Sequence, residues 1–235
     1  MNFDPIAEQY LKAQNQFYAE RENPTKKLIL DEIVNIAEER IIDLGCGDGE
    51  FLKEIFYKRK PSTAVGIDIS NNMLPKNRTL WIARERRILL YGQLPFDSLI
   101  GCPHIEGGLH TEIETGNFDV AISRFALHYS IDLEQTFRGI RFRLKPRGKV
   151  VAVVAHPLLG FQLSNSKDYW KRESVEVPLY ENAIKVDEPR HTFQNYWNAF
   201  ERNGFRIIKQ KESSDYVNEA GLMVPDYYFF VLEKE

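Results

Sequence analysis

The chain has 235 residues, a hydrophobic fraction of 43%, a charged fraction of 28% and a formal net charge of −3, a composition typical of a globular protein long enough to bury a sizeable core. No apolar run approaches the ~20 residues that span a bilayer, the start Met1-Asn2-Phe3-Asp4-Pro5 lacks a basic stretch followed by an apolar one, and the near balance of charge argues against a nucleic-acid partner. Cys46 and Cys102 give no disulfide framework, so a reducing, cytoplasmic setting without a membrane partner is expected.

Residues 1–39 read as N-terminal helices. Ile6, Tyr10, Leu11, Phe17 and Tyr18 recur at helical spacing after the start signal Asp4-Pro5, Asn23-Pro24 breaks the chain, and Leu28, Ile29, Ile33, Ile36 and Ala37 mark a second helix over 25–39. From Arg40 strands and helices alternate: a strand to Leu44, a helix from Glu50 to about Lys58, a strand to Ile67, and a helix after Ser70, whose hydroxyl suits an N-cap. Alternation of this kind implies a parallel sheet with right-handed crossovers.

Arg87-Ile88-Leu89-Leu90-Tyr91 is a third strand, whereas Leu94 to Asn117 holds glycines and prolines with little periodicity and reads as an inserted loop or hairpin. A strand resumes at Phe118-Asp119-Val120-Ala121-Ile122, a helix covers Leu133 to Leu144, Pro146-Arg147-Gly148 is a tight turn, and Lys149 to Ala155 is a β-branched strand. Residues 40–155 thus form a ligand-binding core. The stretch 156–191 carries Phe161, Tyr169, Trp170 and Tyr180 and reads as an aromatic cap, and 192–235 gives a helix ended by Gly204 and two antiparallel strands. The whole is read as one domain.

The informative segment is Ile41-Ile42-Asp43-Leu44-Gly45-Cys46-Gly47-Asp48-Gly49. Alternating glycines let the chain turn with positive φ and let a ligand approach bare backbone. Ala64-Val65-Gly66-Ile67-Asp68 is a second apolar run ending in an acid. Two strands that each end in a carboxylate, with a glycine turn after the first, describe a nucleoside-binding edge. The spacing G-x-G-x-G differs from the dinucleotide fingerprint G-x-G-x-x-G, which weakens a nicotinamide reading.

Four blocks together, Ile42 to Gly49, Gly66-Ile67-Asp68-Ile69-Ser70, Phe118 to Ser123 with Ala126-Leu127-His128-Tyr129, and Leu144 to Gly148, resemble the class I S-adenosylmethionine-dependent methyltransferases. The resemblance implies an α/β, Rossmann-like three-layer sandwich with a mostly parallel seven-stranded sheet, the last strand antiparallel. It implies S-adenosylmethionine as methyl donor and S-adenosylhomocysteine as product. Gly45, Cys46, Gly47 and Gly49 would pass beneath the methionine and ribose, with Asp43 near the cationic amino group. Asp68 would accept from both ribose hydroxyls, Ile69 would pack on adenine, and Ser123, Arg124 and Phe125 would lie beside the methionine end. One position departs: the aspartate that the family commonly carries about four residues before Leu94-Pro95-Phe96 is Leu90 here, leaving adenine to backbone groups or Gln93.

Methyl transfer from a sulfonium loses charge rather than building it, so the protein mainly positions the partners and excludes water. Where the nucleophile needs a base, His128, His156 and His191 are the candidates, because histidine titrates near neutrality; a packed or orienting role stays open for each. Tyr10, Tyr18, Tyr129 and Trp170 are candidates for holding a small, partly aromatic acceptor. No paired acidic metal-ligand motif is present, so no metal is expected, and the chain is read as a monomer or homodimer. Two alternatives remain. The arginine-rich runs Arg78 to Arg87 and Arg138 to Lys149 would suit a transfer-RNA methyltransferase, and Leu90 would suit a non-catalytic cofactor-binding protein.

Overall fold

A computed structural model describes residues 3–19, 23–75, 79–83, 86–92, 118–213, 216–217 and 223–235. The insertion at 94–117, Gln93 and Cys102 lie outside the described residues, as do the side chains of Leu90 and of the run Arg78 to Arg87.

A short 3-10 turn, Asp4–Ile6, leads into α1 (Ala7–Tyr18), followed by α2 (Pro24–Glu32), β1 (Arg40–Leu44), α3 (Glu50–Arg59) and β2 (Thr63–Asp68). Then come β3 (Thr79–Ala83), β4 (Arg86–Gly92), β5 (Phe118–Arg124), α4 (Leu133–Arg143), β6 (Leu144–Ala155) and α5 (Pro157–Leu163). The chain continues with β7 (Ser174–Leu179), β8 (Ile184–Pro189), α6 (Phe193–Arg202), β9 (Phe205–Glu212), β10 (Tyr216–Val217), β11 (Met223–Val224) and β12 (Tyr227–Lys234).

The main sheet has eight strands in the order β3-β4-β2-β1-β5-β6-β12-β9. From β4 to β6 they are parallel; β12 runs antiparallel between β6 and β9, and β3 runs antiparallel on the edge of β4. The expected seven strands are therefore corrected to eight, because the stretch before Arg86 folds back on β4 as an extra edge strand. Strand periodicity sorts alternate residues to the two faces. Ile42, Leu44, Val65 and Ile67 pack with Phe137, Ile140, Tyr196 and Phe200 of α4 and α6. Ile41, Ala64, Val120 and Ile122 pack with Ile29, Leu30, Phe51 and Ile55 of α2 and α3. These two cores make the three-layer sandwich.

Three element boundaries differ from the sequence reading. Helix α2 stops at Glu32 rather than Glu39; Ile33 and Ile36 are still buried, but from a turn that delivers the chain to β1. After Ser70 there is a turn over 71–74 instead of a helix. The Ser70 hydroxyl does accept the Met73 N–H at 3.2 Å, yet it donates to Asp4 Oδ1 at 2.6 Å, so this turn docks the N-terminal segment. Pro146-Arg147-Gly148 is an irregularity inside β6, where Arg147 takes φ 63° and the register against β5 shifts. The segment 156–191 is α5 plus the β7–β8 hairpin, whose turn runs through Tyr180, Glu181 and Asn182 at φ 54°, 56° and 65°.

Candidate active site

Strand order reverses around β1: β2 lies on one side and β5 on the other. Such a switch point opens a crevice beyond the carboxyl ends of the strands. The glycine turn, Asp68-Ile69 and Arg124-Phe125-Ala126 all leave those ends, and they line a cavity of about 320 Å³.

Gly45, Gly47 and Gly49 take φ of 77°, 55° and 75°, the left-handed conformation that side chains resist. The turn is fixed from β2: Ile67 O accepts the Gly45 and Cys46 N–H groups at 2.8 and 3.0 Å, and Asp68 Oδ2 accepts the Gly47 N–H at 2.9 Å. Asp68 Oδ1 accepts the Ser70 N–H at 2.8 Å. Burial raises the Asp68 pKa while these backbone bonds oppose the rise. Its two oxygens keep acceptor capacity beyond these backbone donors.

Asp43 ends up 3% exposed behind the turn. Burial pushes its pKa up to about 7, opposed by the Arg124 charge and reinforced by Asp68. None of the hydrogen bonds among the described residues reaches its carboxylate. A buried acid in that state calls for a cationic partner. Arg124 closes the same wall, its guanidinium 5.4 Å from the centre of the Phe51 ring. Ser123 is fully buried and donates to Leu44 O at 2.9 Å, pinning β5 to β1 instead of facing the cavity. Burial raises the Cys46 thiol well above its usual range, so this cavity-lining cysteine is a packing group and not a thiolate.

The other end of the cavity is aromatic. Phe3 meets Tyr10 and Tyr129 edge-on at 5.3 and 5.1 Å, with Leu11 and Ile131 beside them. Burial raises the Tyr10 and Tyr129 hydroxyls above their usual pKa, so both stay neutral hydrogen-bonding groups. Tyr180, at the tip of the β7–β8 turn, packs against Tyr10, Phe17 and Tyr18, which joins the cap to α1.

The profile of a family described as a methyltransferase domain matches residues 11–222. The chain belongs to that family. The methyltransferase shares its fold with an S-adenosylmethionine-dependent methyltransferase from Mesorhizobium loti, at a TM-score of 0.66 and 22% identity, over 88% of this chain and 95% of that one. It is 26% identical over 209 residues to an uncharacterized protein of Haemophilus influenzae, covering 87% of this chain and 78% of the relative. It is 29% identical over 118 residues to a malonyl-[acyl-carrier protein] O-methyltransferase of Methylovorus, covering 50% of this chain and 37% of that protein. It is an S-adenosylmethionine-dependent methyltransferase of class I.

The residues of the methyltransferase fit its cofactor: a bare glycine backbone, a buried carboxyl wanting a cation, and a second carboxylate with spare acceptor sites. Of the residues expected from sequence, the cavity gathers Gly45, Cys46, Gly47, Asp68, Ile69, Arg124, Phe125, Tyr10 and Tyr129. Asp43, Gly49 and Ser123 stand behind that lining, and Tyr18 lines an adjoining groove. Trp170 is 65% exposed on the cap, edge-on to Tyr169.

The three histidines are each engaged elsewhere. His156 caps α5, accepting the Leu158 N–H at 3.3 Å, and its Nε2 lies 3.0 Å from Glu212. His191 Nε2 lies 2.7 Å from Ser130 O. His128 sits 3.5 Å from Glu188 of β8. Burial pushes His128 down to about 3 and Glu188 up to about 8, so this close pair is neutral and not an ion pair at pH 7. Phe3, Gln14, Phe51 and Glu188 were missed. Phe51 alone had a local signal, its place in the first turn of the helix after the glycines.

Of the basic run from Arg138, three members are engaged within the fold, while Arg138, Arg147 and Lys149 are exposed. Arg141 donates to Gly204 O and Glu235 O at 2.6 and 2.9 Å, Lys145 pairs with Asp119 at 2.7 Å, and Arg143 is buried.

Proposed function

We propose that this methyltransferase transfers the methyl of S-adenosylmethionine to a small, partly aromatic acceptor held between α1 and the 3-10 turn Leu127–Tyr129. The supporting observation is the division of one cavity into a glycine and carboxylate end and a Phe3, Tyr10 and Tyr129 end. When bound, the cofactor supplies an electrophilic methyl on a sulfonium. Asp68 holds the ribose hydroxyls, Asp43 faces the amino group, Ile69 packs on adenine, and the turn from Gly45 to Gly49 presents bare backbone.

The work left to the chain is alignment and exclusion of water. Tyr10 and Tyr129 orient the acceptor through neutral hydroxyls and ring faces. Phe3 and the Tyr180 hairpin close the aromatic end. A test is transfer of a labelled methyl to a panel of small aromatic acids, amines and phenols. Tyr10→Phe and Tyr129→Phe are expected to raise the acceptor KM about tenfold, as loss of a hydrogen bond to a buried partner does, and to leave cofactor affinity unchanged. Cofactor binding without turnover across the panel would favour a binding protein instead.

A further inference from the structure

Tyr180 is an outlier in the cap. With Glu181 and Asn182 it forms the β7–β8 turn, and all three take positive φ, 54° at Tyr180. A bulky side chain in that conformation is strained, and such strain persists only where the surroundings over-determine it. The surroundings here are one face of α1. Tyr10, Gln14, Phe17 and Tyr18 recur at helical spacing, and each meets Tyr180. The rings of Tyr10, Phe17 and Tyr18 lie 5.4, 5.6 and 6.4 Å from its own, and Gln14 Nε2 donates to its hydroxyl at 2.9 Å.

Of these, Tyr10 and Gln14 also line the cavity at the strand ends. The Tyr180 hydroxyl joins them. Its oxygen accepts the Gln14 amide, which leaves its proton for the oxygen of Tyr10, whose ring stands edge-on beside it at 76°. Burial raises the pKa of both hydroxyls; the bond between them raises Tyr180 further and lowers Tyr10, as a donor and its acceptor behave. The bonds therefore run in one direction, from Gln14 to Tyr180 to Tyr10, and each polarises the next. Both ends are fixed as a result. Tyr10, accepting on one side, has its own proton to give to the cavity. Gln14 turns its amide nitrogen to Tyr180, and its Oε1 has no bonding partner among the described residues.

We infer that Tyr180 is a positioning residue for the methyl acceptor: from the tip of the cap it sets Tyr10 as a donor and Gln14 as an acceptor toward the cavity. The inference rests on the aromatic-acceptor reading above. A donor beside an acceptor suits a neutral group that both accepts and donates, a hydroxyl or a primary amide. It selects against a carboxylate, whose lone pairs would face the Gln14 oxygen.

Calorimetry on the full chain, saturated with S-adenosylhomocysteine, tests this with phenol, benzamide and benzoate as probes. In wild type, phenol and benzamide should bind at least about tenfold more tightly than benzoate. Tyr180→Phe keeps the ring contacts and removes both bonds. It should weaken phenol and benzamide about tenfold, narrow their lead over benzoate and leave S-adenosylhomocysteine affinity unchanged. Gln14→Leu should repeat the loss without touching the turn. Adding Tyr10→Phe to Tyr180→Phe should cost less than the product of the two single losses, because both act through one chain of bonds. Unchanged probe affinities in Tyr180→Phe, a wild-type preference for benzoate, or losses that multiply would overturn the inference and leave the aromatic-acceptor reading standing. A wild type that binds S-adenosylhomocysteine but none of the three probes would overturn that reading, and this inference with it.

Discussion

The Asp68 carboxylate accepts the Gly47 N–H at 2.9 Å, so the acid at the end of β2 also holds the turn that follows β1. The carboxylate that lines the cavity and the fold of the neighbouring turn are thereby one unit. Gly47→Ala tests this. The added Cβ would lie 3.5 Å from Met73 Cε, an ordinary contact, while φ stays at 55°. Strain and not crowding is the cost, about 1 kcal/mol, or a melting temperature lower by about 2–4 °C in a chain of this size. Cofactor affinity should fall with it. An alanine variant as stable as wild type would show that the turn does not need its left-handed backbone.

The proposed role of Asp43 predicts that cofactor binding depends on pH. Its pKa stands near 7 in the ligand-free protein, and a cationic amino group favours the ionised form. S-adenosylhomocysteine affinity should therefore rise with pH, by up to about tenfold per unit below pH 7, and level off above it. Asp43→Asn should flatten the profile. For stability the sign is opposite: a raised acid pKa contributes most below the unfolded value, and that contribution is lost as pH climbs through 7. An Asp43→Asn profile as steep as wild type would remove this residue from the cation site.

Glu188, with its pKa near 8 from burial, gives a separate handle on the cap. Its contribution to stability is present below the unfolded carboxyl range and disappears as pH rises to 8. Glu188→Gln keeps a neutral polar group facing His128, so the variant should match wild type at pH 5. At pH 9 it should exceed wild type by on the order of 2 kcal/mol. His128 is depressed by its own burial and loses its contribution in the opposite direction, as pH falls below 6.5. Denaturant melts at pH 5, 7 and 9 measure both. Equal gaps at the three values would contradict the neutral pair.

The contacts of Arg141, Arg143 and Lys145 leave only Arg138, Arg147 and Lys149 of that basic run exposed to a polyanion. Affinity for transfer RNA should be weak and nearly independent of salt; filter binding between 50 and 200 mM salt checks it. A fall of about a thousandfold across that range would restore the RNA reading.

The glycine and carboxylate end of the cavity was legible because its constraints are local. A turn that needs positive φ at three alternating positions must spell glycine at Gly45, Gly47 and Gly49, and an acid at the end of each apolar run shows in the run itself. The eighth strand was not legible, since the sequence between β3 and β4 carries no hairpin signal. The N-terminal dock was hidden for another reason: Asp4 and Ser70 meet across 66 positions. His128, His156 and His191 were plausible bases from residue type alone, yet their surroundings come from distant chain: Glu188 of β8, Glu212 of β9 and the Ser130 carbonyl. Burial, which decides whether a histidine faces a ligand, has no signature at single positions.

The measurement that bears most directly on the whole account is calorimetric titration of S-adenosylhomocysteine into wild type and Asp68→Ala. One-to-one binding by wild type and a loss of at least about thirtyfold in the variant are expected, as removal of charge-assisted bonds to two ligand hydroxyls requires. Unchanged affinity in Asp68→Ala, or no binding by wild type, would contradict it.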